Sequence, residues 1–185
     1  CENGYGNFIL PNGNKYTGDF KDGMQHGNGT VVWGNGDSYQ GELRYNKRHG
    51  KGISIWTNGD KYEGGFFNGK PNGEGVFVSS IGEIFSGEFK NGDLKKGKHT
   101  SSQGDIYIGE FKNGEYHGQG IYKYISGRII NGEFKKGLVD GYATITDTNG
   151  TKYVGDCKEG IVHGKGKYTS PIGNTYIGEF KNGEF

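Results

Sequence analysis

The chain has 185 residues, of which 39 are glycine and 14% are aromatic. Its 22 Lys and Arg residues nearly balance 21 Asp and Glu residues, which argues against a nucleic-acid-binding protein, because such proteins normally carry a basic surplus. No uncharged run is long enough to cross a membrane, and no signal peptide is visible. The two cysteines, Cys1 and Cys157, are too few for a disulfide framework and favour a reducing, cytoplasmic compartment.

A 23-residue unit repeats along the chain and is clearest from Tyr16 to Ser38, YTGDFKDGMQHGNGTVVWGNGDS. A fixed period of this length indicates a repeat architecture, in which each unit is stabilised by its neighbours. The pattern predicts one array with partial units at 1–15 and 176–185, and suggests a fragment of a longer array. The units between them are 16–38, 39–61, 62–84, 85–106, 107–129, 130–152 and 153–175. The first residue of each unit, called the anchor below, is Tyr16, Tyr39, Tyr62, Phe85, Tyr107, Ile130, Tyr153 or Tyr176.

Each unit has the pattern of a β-hairpin. Residues 16–20 alternate with period two, which is typical of a strand with Tyr, Gly and Phe on one face. Residues 21–25 form a predicted hairpin loop, and a second alternating strand follows at about 26–33. The Gly-rich run 34–37 predicts a turn into the next unit. The sequence therefore predicts an all-β fold, in which consecutive hairpins pair into a single-layer antiparallel sheet.

The abundance of both glycine and aromatic residues has a physical explanation in such a sheet. A single layer has no second sheet to bury its apolar face. A Tyr or Phe ring can instead lie over a glycine of the neighbouring strand, as in the aromatic rescue of glycine in designed sheets. Each such pair contributes roughly 0.2–1 kcal/mol beyond an Ala–Ala pair.

The unit 85–106 is irregular. It is one residue shorter than the others, and Lys95, Lys96 and Lys98 surround a single glycine. Residues 99–103 replace the apolar second strand, so we expect a weakened strand and a bend there. Later departures from the pattern are Ile130, Asp140, Ala143 and Cys157.

The last unit ends after its first strand and loop. Residues 176–180 would form an edge strand with unpaired backbone groups and exposed rings, which natural proteins cover or pair with another chain. The sequence therefore predicts self-association near the C-terminus. The candidate interface residues are Tyr153, Tyr168, Tyr176, Phe180 and Phe185.

The repeated pattern YxGxF, then G, then HGxG, then a Gly-rich turn, resembles the MORN-repeat family (membrane occupation and recognition nexus) over essentially all of the chain. The resemblance implies an elongated, twisted rod of antiparallel hairpins with a groove lined by aromatic residues and glycine. The aromatic residues that would line this groove are Tyr16, Phe20, Trp33, Tyr39, Trp56, Tyr62, Phe66, Phe89, Tyr107, Phe111 and Phe134.

Among members of that family, the chain looks like the all-repeat cytoskeletal scaffolds of protozoan parasites. Those proteins carry no enzymatic domain and form antiparallel homodimers through their C-terminal repeats. The resemblance therefore implies a second copy and cytoskeletal proteins as partners. It also implies a cytoplasmic, cytoskeleton-associated location, at the cell cortex or the division ring.

Histidine recurs at one position of the repeat. Copies of one residue at one position are typical of a structural role, here a predicted hydrogen bond at the turn. His99 falls outside this set. The recurring histidines are His26, His49, His117 and His163.

One pair of residues has metal-ligand chemistry. A hairpin could bring Cys157 and His163 together across its loop, with Asp156 close by. A structural zinc site usually needs four ligands, so a dimer interface would have to supply the rest. A buried thiol without a metal is the other interpretation of Cys157, and no other cofactor is expected.

The remaining motifs give no sign of catalysis. The stretch 92–98 resembles a phosphate-binding loop, but His99 stands where Ser or Thr must hold magnesium, and no helix follows. No Ser/His/Asp or Cys/His/Asn set stands outside the repeat. The chain is therefore predicted not to be an enzyme, although it could be the regulatory arm of one.

Acidic and basic residues recur on the predicted solvent face, three and five positions after most anchors. Such a mixed-charge surface keeps a sheet soluble and contributes little to stability. Its basic residues could instead meet anionic lipid headgroups, with the strongest patch at Lys90, Lys95, Lys96 and Lys98. The first functional hypothesis is thus a self-associating protein scaffold, and the alternative is a peripheral membrane module that binds anionic phospholipids or phosphoinositides.

Overall fold

The computed structural model describes residues 2–184, and the regular structure in that range consists of β-strands. The strands form an antiparallel sheet in which their spatial order follows their order in the sequence, as predicted. Within the described range there is no helix that could span a membrane. The strands are β1 (Gly4–Ile9), β2 (Lys15–Lys21), β3 (Met24–Val32), β4 (Ser38–Arg44), β5 (Lys47–Ile55), β6 (Lys61–Phe67), β7 (Lys70–Val78), β8 (Ile84–Lys90), β9 (Asp93–Thr100), β10 (Ile106–Lys112), β11 (Glu115–Lys123), β12 (Ile129–Lys135), β13 (Leu138–Thr146), β14 (Lys152–Lys158), β15 (Ile161–Thr169) and β16 (Thr175–Phe180).

The chain divides into two compact units. The first unit spans Cys1–Leu94 and contains β1 to β8. The second unit spans Lys95–Phe185 and contains most of β9 and all of β10 to β16.

The hairpin loops are shorter than predicted. β2 ends at Lys21 and β3 begins at Met24, so only Asp22 and Gly23 connect them, instead of the predicted five residues. Both have positive φ angles, 51° and 72°. This is the pattern of a two-residue primed turn, whose backbone twist matches that of the flanking strands. Most repeats have Asp or Asn before Gly here, because these residue types tolerate that conformation.

The turns between repeats lie where the sequence predicts them. In the turn 33–37 of unit 1, the Trp33 amide donates to the Asp37 carbonyl oxygen at 2.9 Å. The Asp37 carboxylate accepts the Thr57 amide of the next turn at 3.0 Å. Asp60 accepts the amide of Ser80 in the same way, at 2.8 Å. These hydrogen bonds hold the pKa of both carboxyl groups below the usual range and stack consecutive turns.

A row of glycines crosses the strands of each unit, one directly opposite the next. In unit 1 the row runs Gly6, Gly18, Gly29, Gly41, Gly52, Gly64, Gly75 and Gly87. In unit 2 it runs Gly97, Gly109, Gly120, Gly132, Ala143, Gly155, Gly166 and Gly178. The row gives the anchor rings room to lie against the backbone.

The anchor tyrosines cover this row, which confirms the predicted pairing of rings with glycines. A Cβ atom added at Gly29 would lie 2.4 Å from Cε2 of Tyr16. The Tyr16 hydroxyl donates to the carbonyl oxygen of Asp19 at 2.6 Å. It also approaches the carbonyl oxygen of His26 at 3.3 Å. The hydroxyl therefore satisfies backbone groups that the ladder leaves unpaired, which explains why most anchors are Tyr rather than Phe.

The anchor rings also contact the aromatic residues of neighbouring repeats. In unit 1, Tyr62 meets Phe66 of its own repeat and Phe89 of the next repeat edge-on, each at 5.1 Å between ring centroids. In unit 2, Tyr107 meets Phe111 at 5.2 Å and Phe134 at 5.1 Å. Edge-to-face pairs at this distance contribute about 0.5–1.5 kcal/mol beyond the area that they bury. Such ring pairs thus link neighbouring repeats within each unit.

The acidic residue of the repeat has a role that the sequence did not predict. The strand register shifts between Gly18 and Phe20, so Asp19 lies at a β-bulge. Its carboxylate accepts the backbone amide of Asn28 at 3.1 Å. A Cβ atom added at Gly27, where φ is 61°, would lie 2.6 Å from that carboxylate. The acid is therefore part of the bulge as well as of the charged surface.

The irregular unit 85–106 corrects one prediction. Its second strand is not weakened, because β9 is a continuous strand of eight residues, against nine in β3 and β5. Leu94 and His99 in β9 are buried. The Nδ1 atom of His99 lies 2.6 Å from the hydroxyl of Tyr116, so a histidine can replace the apolar residue expected there.

Candidate functional site

Unit 1 has an open cavity on the face that carries the anchor tyrosines. Its volume is about 440 Å³. Its lining is mostly apolar and comes from three successive repeats. Among the residues that line it are Leu10, Tyr16, Phe20, Trp33, Leu43 and Arg48.

A second cavity of about 470 Å³ lies next to the first. It is lined by Trp33 and Trp56, with Arg48, Ser54 and Asp37. Trp33 and Arg48 thus line both cavities. Leu10, Trp33 and Trp56 occupy the same position in three successive repeats, because each is separated from the next by 23 residues. The two cavities therefore recur with the repeat.

Arg48 is held in place between these cavities. Its guanidinium donates to Oγ of Ser54 at 2.9 Å and to the carbonyl oxygen of Gly69 at 2.6 Å. It also lies over the rings of Phe66, at 5.2 Å, and Trp33, at 5.8 Å. Burial lowers the pKa of Arg48 below its ordinary value. A fixed, partly desolvated arginine beside aromatic rings is typical of the energetically important centre of a protein interface.

Most of the predicted groove residues form the core of their units. Tyr39, Tyr62 and Tyr107 are at most 1% exposed. Phe20, Trp33 and Trp56 are partly exposed and remain accessible to a ligand. The other predicted groove residues, all buried, are Tyr16, Phe66, Phe89, Phe111 and Phe134.

Sequence reasoning missed Arg48. The pattern predicts that the residue before the recurring histidine belongs to the hairpin loop, yet this residue lies on the aromatic face. Gln25 lines the first cavity from this position, and Tyr116 in unit 2 stacks on Tyr107 at 3.9 Å. Arg48 lies four residues before Gly52 of the glycine row, so a period-two count places it on the aromatic face, but the expected five-residue loop takes this position out of the strand. The residue type at this position changes from repeat to repeat (Gln25, Arg48, Tyr116), so residue type does not mark it as functional either.

In unit 2 the same face carries a dense aromatic cluster. Tyr116 contacts Tyr107, Phe111 and Phe134. The Tyr122 hydroxyl donates to a carboxylate oxygen of Asp105 at 3.0 Å. Burial, followed by the contact with Asp105, raises the pKa of Tyr122. The aromatic residues of this cluster mainly contact one another.

The predicted metal ligands are not brought together. Cys157 lies opposite Val162, not His163, and the Asp156 carboxylate accepts the amide of Lys165 at 3.1 Å. Burial raises the pKa of the Cys157 thiol to about 11, which disfavours the thiolate that zinc requires. Among residues 2–184, no group of three or more His, Cys, Asp or Glu side chains could hold a metal ion. A zinc site here still depends on ligands from elsewhere.

Two of the recurring histidines, His26 and His49, pack against aromatic rings, and their side chains do not make the predicted hydrogen bond at the turn. His26 contacts Tyr45 at 5.2 Å, and His49 contacts Phe67 at 5.2 Å. The buried Nδ1 atoms of these two histidines have no hydrogen-bond partner among the described residues. The hydrogen bond at this position is made by the backbone, since the His49 carbonyl accepts the hydroxyl of Tyr39 at 3.3 Å.

Two of the candidate dimer residues lie in the core of unit 2. Phe180 and Tyr153 are 4% and 5% exposed, and their rings meet at 5.0 Å. The expectation that Phe180 is exposed is therefore wrong. Tyr176 contacts Phe180 at 5.3 Å and is partly exposed, as is Tyr168. Phe185 lies outside the described residues.

The candidate lipid-binding lysines are not a uniform patch. Lys90 is exposed and belongs to unit 1. The other three belong to unit 2, where Lys96 is exposed and lies opposite Glu110 in the strand register. Lys98 is exposed and Lys95 is partly exposed. An acid beside a base reduces the attraction to an anionic surface.

The repeat geometry agrees with a comparison against protein families. The MORN repeat model matches residues 16–38, 39–61, 62–84, 107–127, 131–152, 153–175 and 176–185. The chain belongs to the MORN repeat family. The shortened unit 85–106 falls outside the matched residues. None of the curated proteins compared with this MORN-repeat chain matches it.

Solved structures share the fold of this MORN-repeat chain. The CPAP G-box domain is 14% identical with a TM-score of 0.54, and the match covers 96% of this chain and 100% of that domain. The SAS-4 (dCPAP) TCP domain of Drosophila melanogaster, in complex with a proline-rich motif of Ana2, is 11% identical with a TM-score of 0.50. That match covers 94% of this chain and 88% of the other. At these identities the likeness is one of fold.

Proposed function

We propose that this MORN-repeat chain is a scaffold that binds extended segments of partner proteins on the aromatic face of unit 1. The observation that carries the proposal is the pair of adjacent cavities that share Trp33 and Arg48. Their volumes, about 440 and 470 Å³, lie within the usual range of ligand sites. A linear segment can fill two neighbouring cavities at once.

The chemistry of the cavities suits a protein partner. Tryptophan and arginine are the residue types that most often dominate the energy of protein interfaces. Trp33 and Trp56 are partly exposed, and Arg48 is already fixed by its two hydrogen bonds, so little side-chain entropy is lost on binding. The complex of the similarly folded SAS-4 domain with a motif of Ana2 supports a peptide partner in general.

A peptide-display selection tests this proposal. Random linear peptides are selected on the wild-type chain and then counter-selected on the Trp33→Ala variant. We expect enriched peptides that bind the wild type and lose most of their affinity for the variant, because Trp33 lines both cavities. Ile81→Ser, at a side chain 70% exposed in a turn of the same unit, is the matched control and should bind normally. Peptides whose affinity is the same for all three proteins would contradict the proposal.

Self-association through the C-terminal repeats is a further part of the proposal. Tyr142 and Ile177 in unit 2 are 62% and 75% exposed and line a shallow cavity of about 390 Å³ with Val154. Exposed apolar clusters of this kind favour contact with another protein surface. Light scattering should show a species of twice the monomer mass that Tyr142→Ser with Ile177→Ser converts to monomer. A monomer over the whole concentration range would contradict this part.

For a self-associating scaffold of this kind we also propose assembly into a cytoskeletal structure in the cytoplasm, with no catalytic activity and no cofactor.

Binding to anionic lipid is the competing proposal. Sedimentation with phosphoinositide vesicles tests it, using Lys96→Glu with Lys98→Glu as the variant. Vesicle binding that this variant abolishes would favour the membrane role over the scaffold role.

A further inference from the structure

We infer that the two cavities of unit 1 bind a polyproline II segment with prolines three residues apart, Pro-x-x-Pro. This inference rests on the proposed function and specifies the chemistry of the partner. It is carried by the repeat spacing of Leu10, Trp33 and Trp56, and by the cavities that lie between them.

The spacing of the cavities matches one turn of polyproline II. Equivalent residues of successive repeats are two strands apart, and neighbouring strands lie about 4.8 Å apart, which gives about 9.6 Å per repeat. A polyproline II helix has three residues per turn and rises about 3.1 Å per residue, or about 9.3 Å per turn. A segment that crosses the strands of unit 1 would therefore present every third residue to the next cavity. An α-helix, with a pitch of about 5.4 Å, does not match.

The walls of the cavities suit proline rings. Aromatic grooves bind Pro-rich segments because a flat ring packs well against the pyrrolidine ring, and the preformed helix loses little entropy. Trp33 and Trp56 provide such rings on the two sides of the second cavity. Leu10 and Trp33, which are also one repeat apart, line the first cavity in the same way.

The tryptophans can also bind the ligand backbone. Polyproline II makes no internal hydrogen bonds, so its carbonyl groups need donors. Within residues 2–184, neither Trp33 nor Trp56 donates its indole N–H to another protein group. These two donors are therefore free for carbonyl oxygens of a bound segment, as is usual where an aromatic residue lies at an interface.

The row of wall residues ends after Trp56, which limits the motif. The equivalent residue of the next repeat is Ser79, whose hydroxyl oxygen accepts the amide of Glu83 at 2.9 Å and so closes its own turn. Phe77 contacts Trp56 at 6.1 Å and backs it from that side. Two cavities with three walls correspond to two prolines, so the core motif is Pro-x-x-Pro.

Intrinsic fluorescence provides a direct test, because Trp33 and Trp56 are the two tryptophans of the chain. Four repeats of Pro-Ser-Ala are titrated into the full chain, in parallel with peptides that have proline at every fourth residue or alanine in place of proline. We expect saturable changes in emission with the first peptide. The peptide with proline at every fourth residue should bind about tenfold more weakly or worse, because it can fill only one cavity at a time. The alanine peptide should bind at least as weakly, because it has no pyrrolidine ring to pack against the tryptophans.

Variants locate the site. With the first peptide, calorimetry should show affinity at least about tenfold weaker for Trp56→Ala, which alters one cavity, and weaker still for Trp33→Ala, which alters both. Ile81→Ser should bind like the wild type. Thermal melts of each variant establish that it is folded.

The outcomes separate the inference from the proposed function. Equal binding of the peptides with proline at every third and every fourth residue would overturn the inference, as would binding that survives Trp33→Ala. If the proline peptides fail but selected peptides bind in a Trp33-dependent manner, the inference is wrong and the proposed function stands. If neither class binds, both are wrong.

Discussion

The hydroxyl group of Tyr39 donates a 2.6 Å hydrogen bond to the main-chain carbonyl oxygen of Glu42, three residues further along β4. Tyr39 is fully buried, and its ring lies against Gly52 of the neighbouring strand. The same bond joins Tyr16 to Asp19 and Tyr153 to Asp156, at 2.6 and 2.7 Å. One side chain thus provides apolar packing and satisfies the backbone at a bulge.

Replacing Tyr39 with Phe should lower the free energy of unfolding by about 1–3 kcal/mol, because the carbonyl oxygen of Glu42 loses its donor in a buried place. Urea unfolding followed by circular dichroism measures this change. Tyr45→Phe, at a ring that is 45% exposed, is the control and should change stability little. Equal effects of the two substitutions would mean that the Tyr39 hydroxyl contributes nothing specific.

Gly52→Ala should destabilise the chain by about 1–3 kcal/mol through overpacking. A Cβ atom at Gly52 would lie 2.4 Å from the hydroxyl oxygen of Tyr39. The same substitution made in a Tyr39→Ala background should cost much less, because the ring is gone. A double-mutant cycle on thermal or urea unfolding measures the coupling. Additive effects would show that ring and glycine do not constrain each other.

In the repeat 130–152 both partners of this ring–glycine pair are already replaced, at Ile130 and Ala143. This repeat has Ile130 in place of an anchor ring, and Ala143 in place of the glycine. Without a ring, a Cβ atom fits at that position. Ile130→Tyr alone should therefore destabilise unit 2, and adding Ala143→Gly should restore stability. A double variant no more stable than Ile130→Tyr would contradict this explanation.

Much of the fold can be predicted from the sequence because its period is strict. The glycine register, the alternation around the anchors and the Gly-rich turns specify the hairpins and their order. The ring-on-glycine packing also follows from composition, since a single sheet must cover its apolar face with its own side chains.

The candidate site is less predictable. Arg48 shares a face with Gly52 by period two, but the expected five-residue loop covers residues 44–48 of this repeat, whereas β5 already begins at Lys47. The burial of Tyr39 and the partial exposure of Trp33 depend on contacts with neighbouring repeats, such as that of Tyr39 with Phe66, which the pattern of one repeat does not contain. Likewise, the buried position of Phe180 follows from its contact with Tyr153, 27 residues earlier.

Stability should fall at high pH because the anchor tyrosines resist ionisation. Burial raises the pKa of Tyr39, Tyr62, Tyr107 and Tyr153 from 10 to about 12. Between these values the unfolded chain loses phenolic protons that the folded chain keeps. The contribution of these tyrosines to the free energy of unfolding is therefore complete below about pH 10 and decreases as the pH approaches 12. Urea unfolding at a series of pH values measures the slope. Tyr39→Phe should have a smaller slope, and an unchanged slope would contradict the assignment of Tyr39.

The most direct test of the proposed binding face is nuclear magnetic resonance of the chain labelled with nitrogen-15. Its two tryptophans give two indole N–H signals, from Trp33 and Trp56. Adding a peptide selected on the wild-type chain should shift both indole signals, together with the amide signals of Arg48 and Ser54. Shifts confined to unit 2, or to residues far from the two cavities such as Ile81, with both indole signals unmoved, would show that partners bind elsewhere and that the two cavities are not the interaction site.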